Sequence, residues 1–203
     1  EMERVRERYQ LRGRFVLFAG NVKPHKNLER LIRAFAQVRE QGGHEDLQLL
    51  LIGDDVSRYG SLRRAVEATR LRQDVRFFGF VPPSTLAALY RMADVFAFPS
   101  LYEGFGLPPL EAMSCGTPVV TSGMAALHEV VQEAAVLVDP YSVDDIAGGI
   151  SRVLDDEDLR AHLVQKGLAR ARMFSWERSV RAIHAGYFKA LGRSSPIPAE
   201  TTR

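Results

Sequence analysis

Three stretches of this sequence gather residue types that can grip an anion or hold an alcohol. In Gly20-Asn21-Val22-Lys23-Pro24-His25-Lys26-Asn27, Gly20 permits close approach to the backbone, a helix start after Asn27 offers unpaired N–H groups, and Lys26 adds a mobile cation. A tight turn with solvated lysines fits the same residues. The spacing is neither Gly-x-x-x-x-Gly-Lys-Ser/Thr nor Gly-x-Gly-x-x-Gly, which weighs against conventional ATPase and dehydrogenase chemistry.

The second stretch, residues 99–109, runs into a helix carrying Glu111. Gly104 and Gly106 leave the backbone uncovered just before a helix N-terminus, the usual place for a phosphate. Pro108 and Pro109 suit a first helical turn but have no N–H, so the available donors are Gly104, Phe105, Gly106 and Leu107. Glu103 and Glu111 flank this point, Glu111 within the expected first turn. A phosphate repels carboxylates, so both are better explained as acceptors for hydroxyls, which sugars and ribose present in pairs. Equally, Glu103 can pair with an arginine and Glu111 can simply favour the helix dipole. The third stretch, Gly79-Phe80-Val81-Pro82-Pro83, carries an apolar pair that reads as exposed. It either meets a nucleobase through the Val81 backbone or acts as a rigid connector.

These loops need elements to hold them. Apolar runs at residues 15–19, 47–52, 75–78, 95–98, 118–121 and 135–138 predict strands. Most are continuous rather than alternating, which means burial on both faces and a parallel sheet covered by helices. Leu28, Leu31, Ile32, Phe35 and Val38 share one helical face, with Asn27 as N-cap and Gly42-Gly43 as stop. Residues 62–71, 84–92, 109–115 and 128–132 supply further crossovers, and 144–154, 157–172 and 175–191 predict three closing helices. The fold class is α/β, an open doubly wound parallel sheet of about six strands with helices on both faces, plus C-terminal helices. In such a sheet the ligand sits beyond the carboxyl ends of the strands, where the three loops lie.

Composition narrows the function. At 203 residues with 46% hydrophobic content the chain can bury a large core, and a formal charge of +2 gives no argument for nucleic acid. One cysteine cannot form an internal disulfide, which points to a reducing, cytoplasmic setting. No apolar run approaches the roughly 18 residues a membrane span needs, and the charged start is unlike a signal peptide. Arginine makes up 23 of the 27 cations. That suits phosphate-bearing surfaces and leaves room for peripheral contact with the inner face of a membrane or a lipid-linked acceptor, although solvated helix faces or genomic bias explain it too. The histidines are scattered, and none reads as a metal ligand. Cys115 reads as a small buried residue, Trp176 as an anchor for the last helix, and His128-Glu129 as an ordinary helix start or an approach to the cleft.

Glu103-Gly104-Phe105-Gly106-Leu107-Pro108 with Glu111, the following Ala112-Met113-Ser114-Cys115-Gly116-Thr117-Pro118, and Leu137-Val138-Asp139-Pro140 closely resemble the C-terminal domain of the family 4 retaining glycosyltransferases of GT-B fold. The likeness runs over residues 14–191. It implies a Rossmann-like nucleotide-sugar-binding domain over residues 14–172, preceded by a lead-in at 1–13 and followed by a crossover helix at 173–192 and a flexible tail at 193–203. It also implies that an acceptor-binding N-terminal half lies outside this sequence. By the same resemblance Glu103 contacts the donor sugar, Glu111 holds the ribose hydroxyls, and Gly104, Phe105, Gly106 and Leu107 face the diphosphate. Lys26 neutralises the leaving group, and Val81 touches the base. Many members carry Gly-Arg where this chain has Gly20-Asn21. Asn21 donates a hydrogen bond but brings no charge, and Lys23 is the nearby cation that could replace it. The Asn-x-Lys-Pro-His-Lys-Asn version is similar to a subgroup associated with mannosyl and related transferases of surface-polysaccharide assembly.

The implied reaction moves a hexose from a UDP- or GDP-linked donor to an acceptor hydroxyl with retention, with Lys26 and Glu103 at the reacting centre. No cofactor and no metal are expected. Carboxylates would orient hydroxyls rather than attack, and the isolated domain would bind donor without turnover. Two other classes share the scaffold: an epimerase or phosphorylase half-domain, and a noncatalytic nucleotide-sensing or protein-interaction module. No lysine sits in a context assignable to pyridoxal phosphate.

Overall fold

The computed structural model describes residues 2–54 and 59–193. Six strands form one parallel sheet: β1 (Phe15–Gly20), β2 (Gln48–Gly53), β3 (Val75–Phe78), β4 (Val95–Phe98), β5 (Val119–Ser122) and β6 (Val136–Val138). Their order is β3-β2-β1-β4-β5-β6. In register, Phe15 lies opposite Gln48 and Gly20 opposite Gly53, while Val16 lies opposite Val95. The continuous apolar runs are explained by burial on both faces: Phe15, Val16, Leu17, Leu49, Leu50, Val95, Phe96, Ala97 and Phe98 are wholly inaccessible. In β6 the middle residue, Leu137, is partly exposed because this strand is an edge.

Nine helices are described: α1 (Met2–Arg8), α2 (Leu28–Glu40), α3 (Gly60–Thr69), α4 (Pro83–Met92), α5 (Leu107–Ser114), α6 (Ala125–Val131), α7 (Val143–Asp155), α8 (Glu157–Ala171) and α9 (Trp176–Ala190). Helices α3, α2 and α7 pack side by side on one face, and α1, α4, α5, α6 and α8 on the other. The apolar stripe of α2 is buried throughout. Each such fully covered Leu, Ile or Phe contributes about 1.5–3 kcal/mol relative to exposure, so a charge at Ile32 would break the α2–sheet contact.

The chain winds from β1 outward to β2 and β3, then returns past β1 to continue with β4, β5 and β6. The direction of winding therefore reverses between β1 and β4. Loops leaving these neighbouring strands diverge to opposite faces and leave a crevice.

Several expectations change. Helix α5 begins at Leu107 rather than 109, because Gly106 adopts the left-handed conformation (φ 103°) that starts the helix early. Glu111 therefore sits in the second turn. Helix α6 covers 125–131 rather than 128–132. Cys115 is only half-buried, at the C-cap of α5. Trp176 anchors nothing within the described residues: it is 78% exposed, and α9 buries none of its residues. The Ser175 cap is as expected, its side chain accepting from the Arg178 N–H. Most of the tail anticipated at 193–203 lies outside the described residues.

Candidate functional site

The loop after β1 is tied at several points to the loop after β4. The β1 strand ends at Gly20 against Gly53, where a Cβ on Gly53 would run into the Gly20 carbonyl oxygen. Asn21 is exposed, and the Val22 N–H donates to Asp54 Oδ2 at 3.0 Å. A 3-10 turn, Pro24–Lys26, then leads into α2.

Asn27 stands at the N-cap of α2 but makes no side-chain cap bond, because its φ of 62° is left-handed. Its amide Nδ2 instead donates to the carbonyls of Pro99 and Pro140 at 3.0 and 2.6 Å. The side-chain cap expected of Asn27 does not form, and an asparagine before a helix looks the same in sequence whichever partner it takes. The Leu101 N–H donates to the His25 carbonyl at 2.7 Å. Lys26 Nζ donates to Glu103 Oε1 at 2.6 Å and lies 4.9 Å from the Phe98 ring centroid. Lys26 is therefore pinned rather than mobile, and Glu103 is paired with a lysine rather than an arginine.

The loop of β4 is fastened from its other side. Ser122 Oγ donates to the Ser100 carbonyl at 2.6 Å, and Thr121 Oγ1 to the Phe98 carbonyl at 2.8 Å. Beyond this fixed base, Glu103 is partly buried, whereas Gly104, Phe105 and Leu107 are exposed. Gly106 is buried, and its backbone passes so close to α6 that an added Cβ would lie 2.5 Å from Leu127 Cδ2. Only glycine meets both the positive φ and the close approach. With prolines at the second and third helical positions, the first turn offers few amides beyond those of residues 104–107.

Glu111 accepts a hydrogen bond from the Tyr90 hydroxyl at 3.1 Å on Oε2. Burial, reinforced by the Glu111 charge, holds the Tyr90 phenol well above its ordinary range, so it stays protonated and serves as a permanent donor. Neither Tyr90 nor Asn27 was singled out as a functional residue from sequence. Both act through tertiary contacts that local spacing does not encode.

The third loop divides its apolar pair. Phe80 is 88% exposed, but Val81 is buried in the core ahead of α4, correcting the reading of both as exposed. His128 lies on α6 and lines a cavity of about 840 Å³ with α8 and β6. Asp156-Glu157-Asp158 is an Asp-x-Asp triplet, a spacing often associated with metals, but it lies on the α7–α8 turn, where Asp156 caps α8 by accepting from the Leu159 N–H. Among the described residues, no three His, Cys, Asp or Glu side chains group as a metal site. No described helix is long and apolar enough to cross a membrane.

The profile of the family Glycosyl transferases group 1 matches residues 1–170, and the chain belongs to that family. It is 40% identical over 179 residues to the O-antigen chain mannosyltransferase B of Escherichia coli, covering 85% of this chain and 45% of that protein. Sucrose-phosphate synthase from Thermosynechococcus elongatus superposes with a TM-score of 0.80 at 31% identity, over 94% of this chain and 49% of that one. Anabaena HepE, solved in complex with UDP and glucose, superposes with a TM-score of 0.78 at 24% identity over 94% of this chain and 52% of that one. The chain thus spans about half the length of these relatives. Its sheet is the C-terminal half-domain of the GT-B architecture.

Proposed function

We propose that this chain is the nucleotide-sugar-binding half of a retaining hexosyltransferase acting in polysaccharide synthesis, and that the donor lies in the crevice between the β1 and β4 loops. The observation that carries the reading is the convergence of Lys26, Glu103 and the exposed loop residues Gly104, Phe105 and Leu107 at the point where the sheet reverses. A diphosphate there meets a lysine and a row of amides at a helix start. Glu103 and Glu111 accept hydroxyls of the sugar and the ribose, and Gly20 and Asn21 complete the donor site; the buried Val81 side chain leaves only its backbone for the base. Mannose is favoured as the sugar by the name of the E. coli relative, and the nucleotide is UDP or GDP.

In the transfer, negative charge grows on the departing diphosphate. Donors already fixed in place stabilise that charge without reorganising, and removing one such group from an enzyme typically costs about 10²–10³ in kcat. Lys26 is held ready by Glu103, and the loop bearing the amides is fastened at Ser100, Gly106 and Asn27. Neither carboxylate acts as nucleophile. Helix α9 presents Trp176, Val180, Ile183 and Tyr187 to solvent, an apolar stripe suited to an acceptor-binding half that completes the cleft. The lone Cys115, unpaired, fits a cytoplasmic setting.

A crystal of this chain soaked with UDP-glucose or GDP-mannose tests the placement. Diphosphate oxygens beside Lys26 and the 104–107 amides are expected. A nucleotide seated in the α6–α8 cavity would sink the reading.

A further inference from the structure

Phe105, in the middle of the proposed diphosphate loop, is held by a residue from outside the donor site. Its ring meets Phe174 edge-on, with centroids 5.8 Å apart and planes at 81°. Phe174 is itself fixed. The Arg170 guanidinium stands 4.8 Å from its ring centroid, and Arg170 also donates to the carbonyls of Glu129 and Val130 in α6 at 2.7 and 2.8 Å. The neighbouring loop residue, Gly106, abuts Leu127 on that same helix. Loop, α6 and the α8–α9 corner therefore form one packed unit.

Phe174 also lies at the root of α9. Ser175 caps that helix, and Arg178 Nη1 reaches back to donate to the Met173 carbonyl at 2.7 Å, stiffening the corner. Beyond it α9 has no buried residue, and the corner at Phe174 is where it meets α8. A change in the loop that moves the Phe105 ring must move Phe174 or lose its contact.

We infer that Phe174, locked by Arg170, is a positioning residue for the donor loop, and that occupation of this loop by a nucleoside diphosphate sugar is coupled through the Phe105–Phe174 contact to the setting of α9. The inference rests on the donor-binding reading above. Such coupling is reciprocal: what fixes the root of α9 tightens donor binding, and donor binding in turn fixes the root. An edge-on aromatic pair supports an effect of about two- to tenfold in affinity.

The chain's single tryptophan, Trp176, lies two residues past Phe174 and reports on the corner directly. The test follows Trp176 fluorescence and calorimetric heat while the 203-residue chain is titrated with UDP-glucose, GDP-mannose, UMP and GMP. Wild type is compared with Phe174→Ala, Phe174→Leu and Phe174→Tyr. A sugar nucleotide should shift Trp176 emission in wild type. Phe174→Ala and Phe174→Leu should abolish the shift and weaken sugar-nucleotide binding about two- to tenfold, leaving monophosphate affinity unchanged because base and ribose are held elsewhere. Phe174→Tyr should restore both signals. Phe174→Leu keeps apolar bulk, so it reports even if the alanine variant does not fold. Sugar-nucleotide binding with silent Trp176 and unchanged affinity in Phe174→Leu overturns this inference and leaves the donor site standing. Equal loss of monophosphate and sugar-nucleotide binding marks general damage and also overturns it. No binding of any nucleotide by wild type overturns the donor reading, and the inference with it.

Discussion

Lys26 Nζ and Glu103 Oε1 lie 2.6 Å apart, joining two loops whose residues are 77 positions apart in the chain. Only 12% and 11% of the two side chains are exposed, so this is not a screened surface pair. In the proposed function the pair keeps a cation waiting without leaving it bare. An arriving diphosphate takes over the lysine while sugar hydroxyls engage the carboxylate.

The first prediction concerns that pair's stability. Lys26→Met and Glu103→Leu each strand a largely buried charge, and each is expected to cost about 1–3 kcal/mol in urea denaturation. The double variant strands neither, so its cost should fall short of the sum by at least about 1 kcal/mol. Additive losses would show that the two groups do not interact.

Gly106→Ala meets two obstacles at once, a φ of 103° and the 2.5 Å approach to Leu127 Cδ2. A loss of about 1–3 kcal/mol is expected by chemical denaturation, with weakened sugar-nucleotide binding. Gly104→Ala is the control, since a Cβ there meets nothing within 4 Å and its φ is not left-handed. Similar stability losses at both positions would count against the packing argument.

Asn27→Asp replaces an amide donor with a carboxylate facing the Pro99 and Pro140 carbonyl oxygens. The expected cost is about 2–4 kcal/mol at neutral pH. Asn27→Gly keeps the left-handed backbone and loses the two carbonyl bonds and the one that Asn27 Oδ1 accepts from Arg30 Nη1, without burying a carboxylate, so thermal melts should rank it between wild type and Asn27→Asp. An unchanged melting temperature for Asn27→Asp would remove this clamp from the account.

Tyr90 sets a dependence on alkaline pH. Its phenol is raised in the fold, first by burial and then by Glu111. An unfolded tyrosine ionises near pH 10. Above that value the unfolded chain has released a proton that the folded one keeps, so stability falls as pH rises, by about 1.4 kcal/mol per pH unit for this group, and is fully present below it. Urea melts between about pH 10 and 11.5 should fall less steeply for Tyr90→Phe than for wild type. Parallel slopes would refute the assignment.

The strands were legible in the sequence because both-face burial writes continuous apolar runs. Residues 75–78 and 95–98 match β3 and β4 residue for residue, β1 and β6 differ from their runs by one residue at one end, and β2 and β5 are each shifted by one residue. The glycine loop was legible because Gly104, Gly106 and the two prolines are constrained by backbone chemistry alone. What joined that loop to Lys26 was not legible. The contact arises from strand order, which places β1 beside β4, and no local pattern states that order. For the same reason Val81 read as exposed and Trp176 as an anchor. A hydrophobic residue next to a turn does not declare what covers it, and α9 buries none of its residues.

The central claim is that a nucleoside diphosphate binds in the crevice between the β1 and β4 loops. Calorimetric titration of the chain with UDP and GDP tests it, using wild type, Lys26→Ala, Glu111→Ala and, as a control in the α6–α8 cavity, Lys166→Ala. The account predicts saturable binding of at least one nucleotide, weakened tenfold or more, about 1.4 kcal/mol, by each of the first two substitutions and untouched by the third. Binding that survives Lys26→Ala and Glu111→Ala but disappears with Lys166→Ala would contradict it.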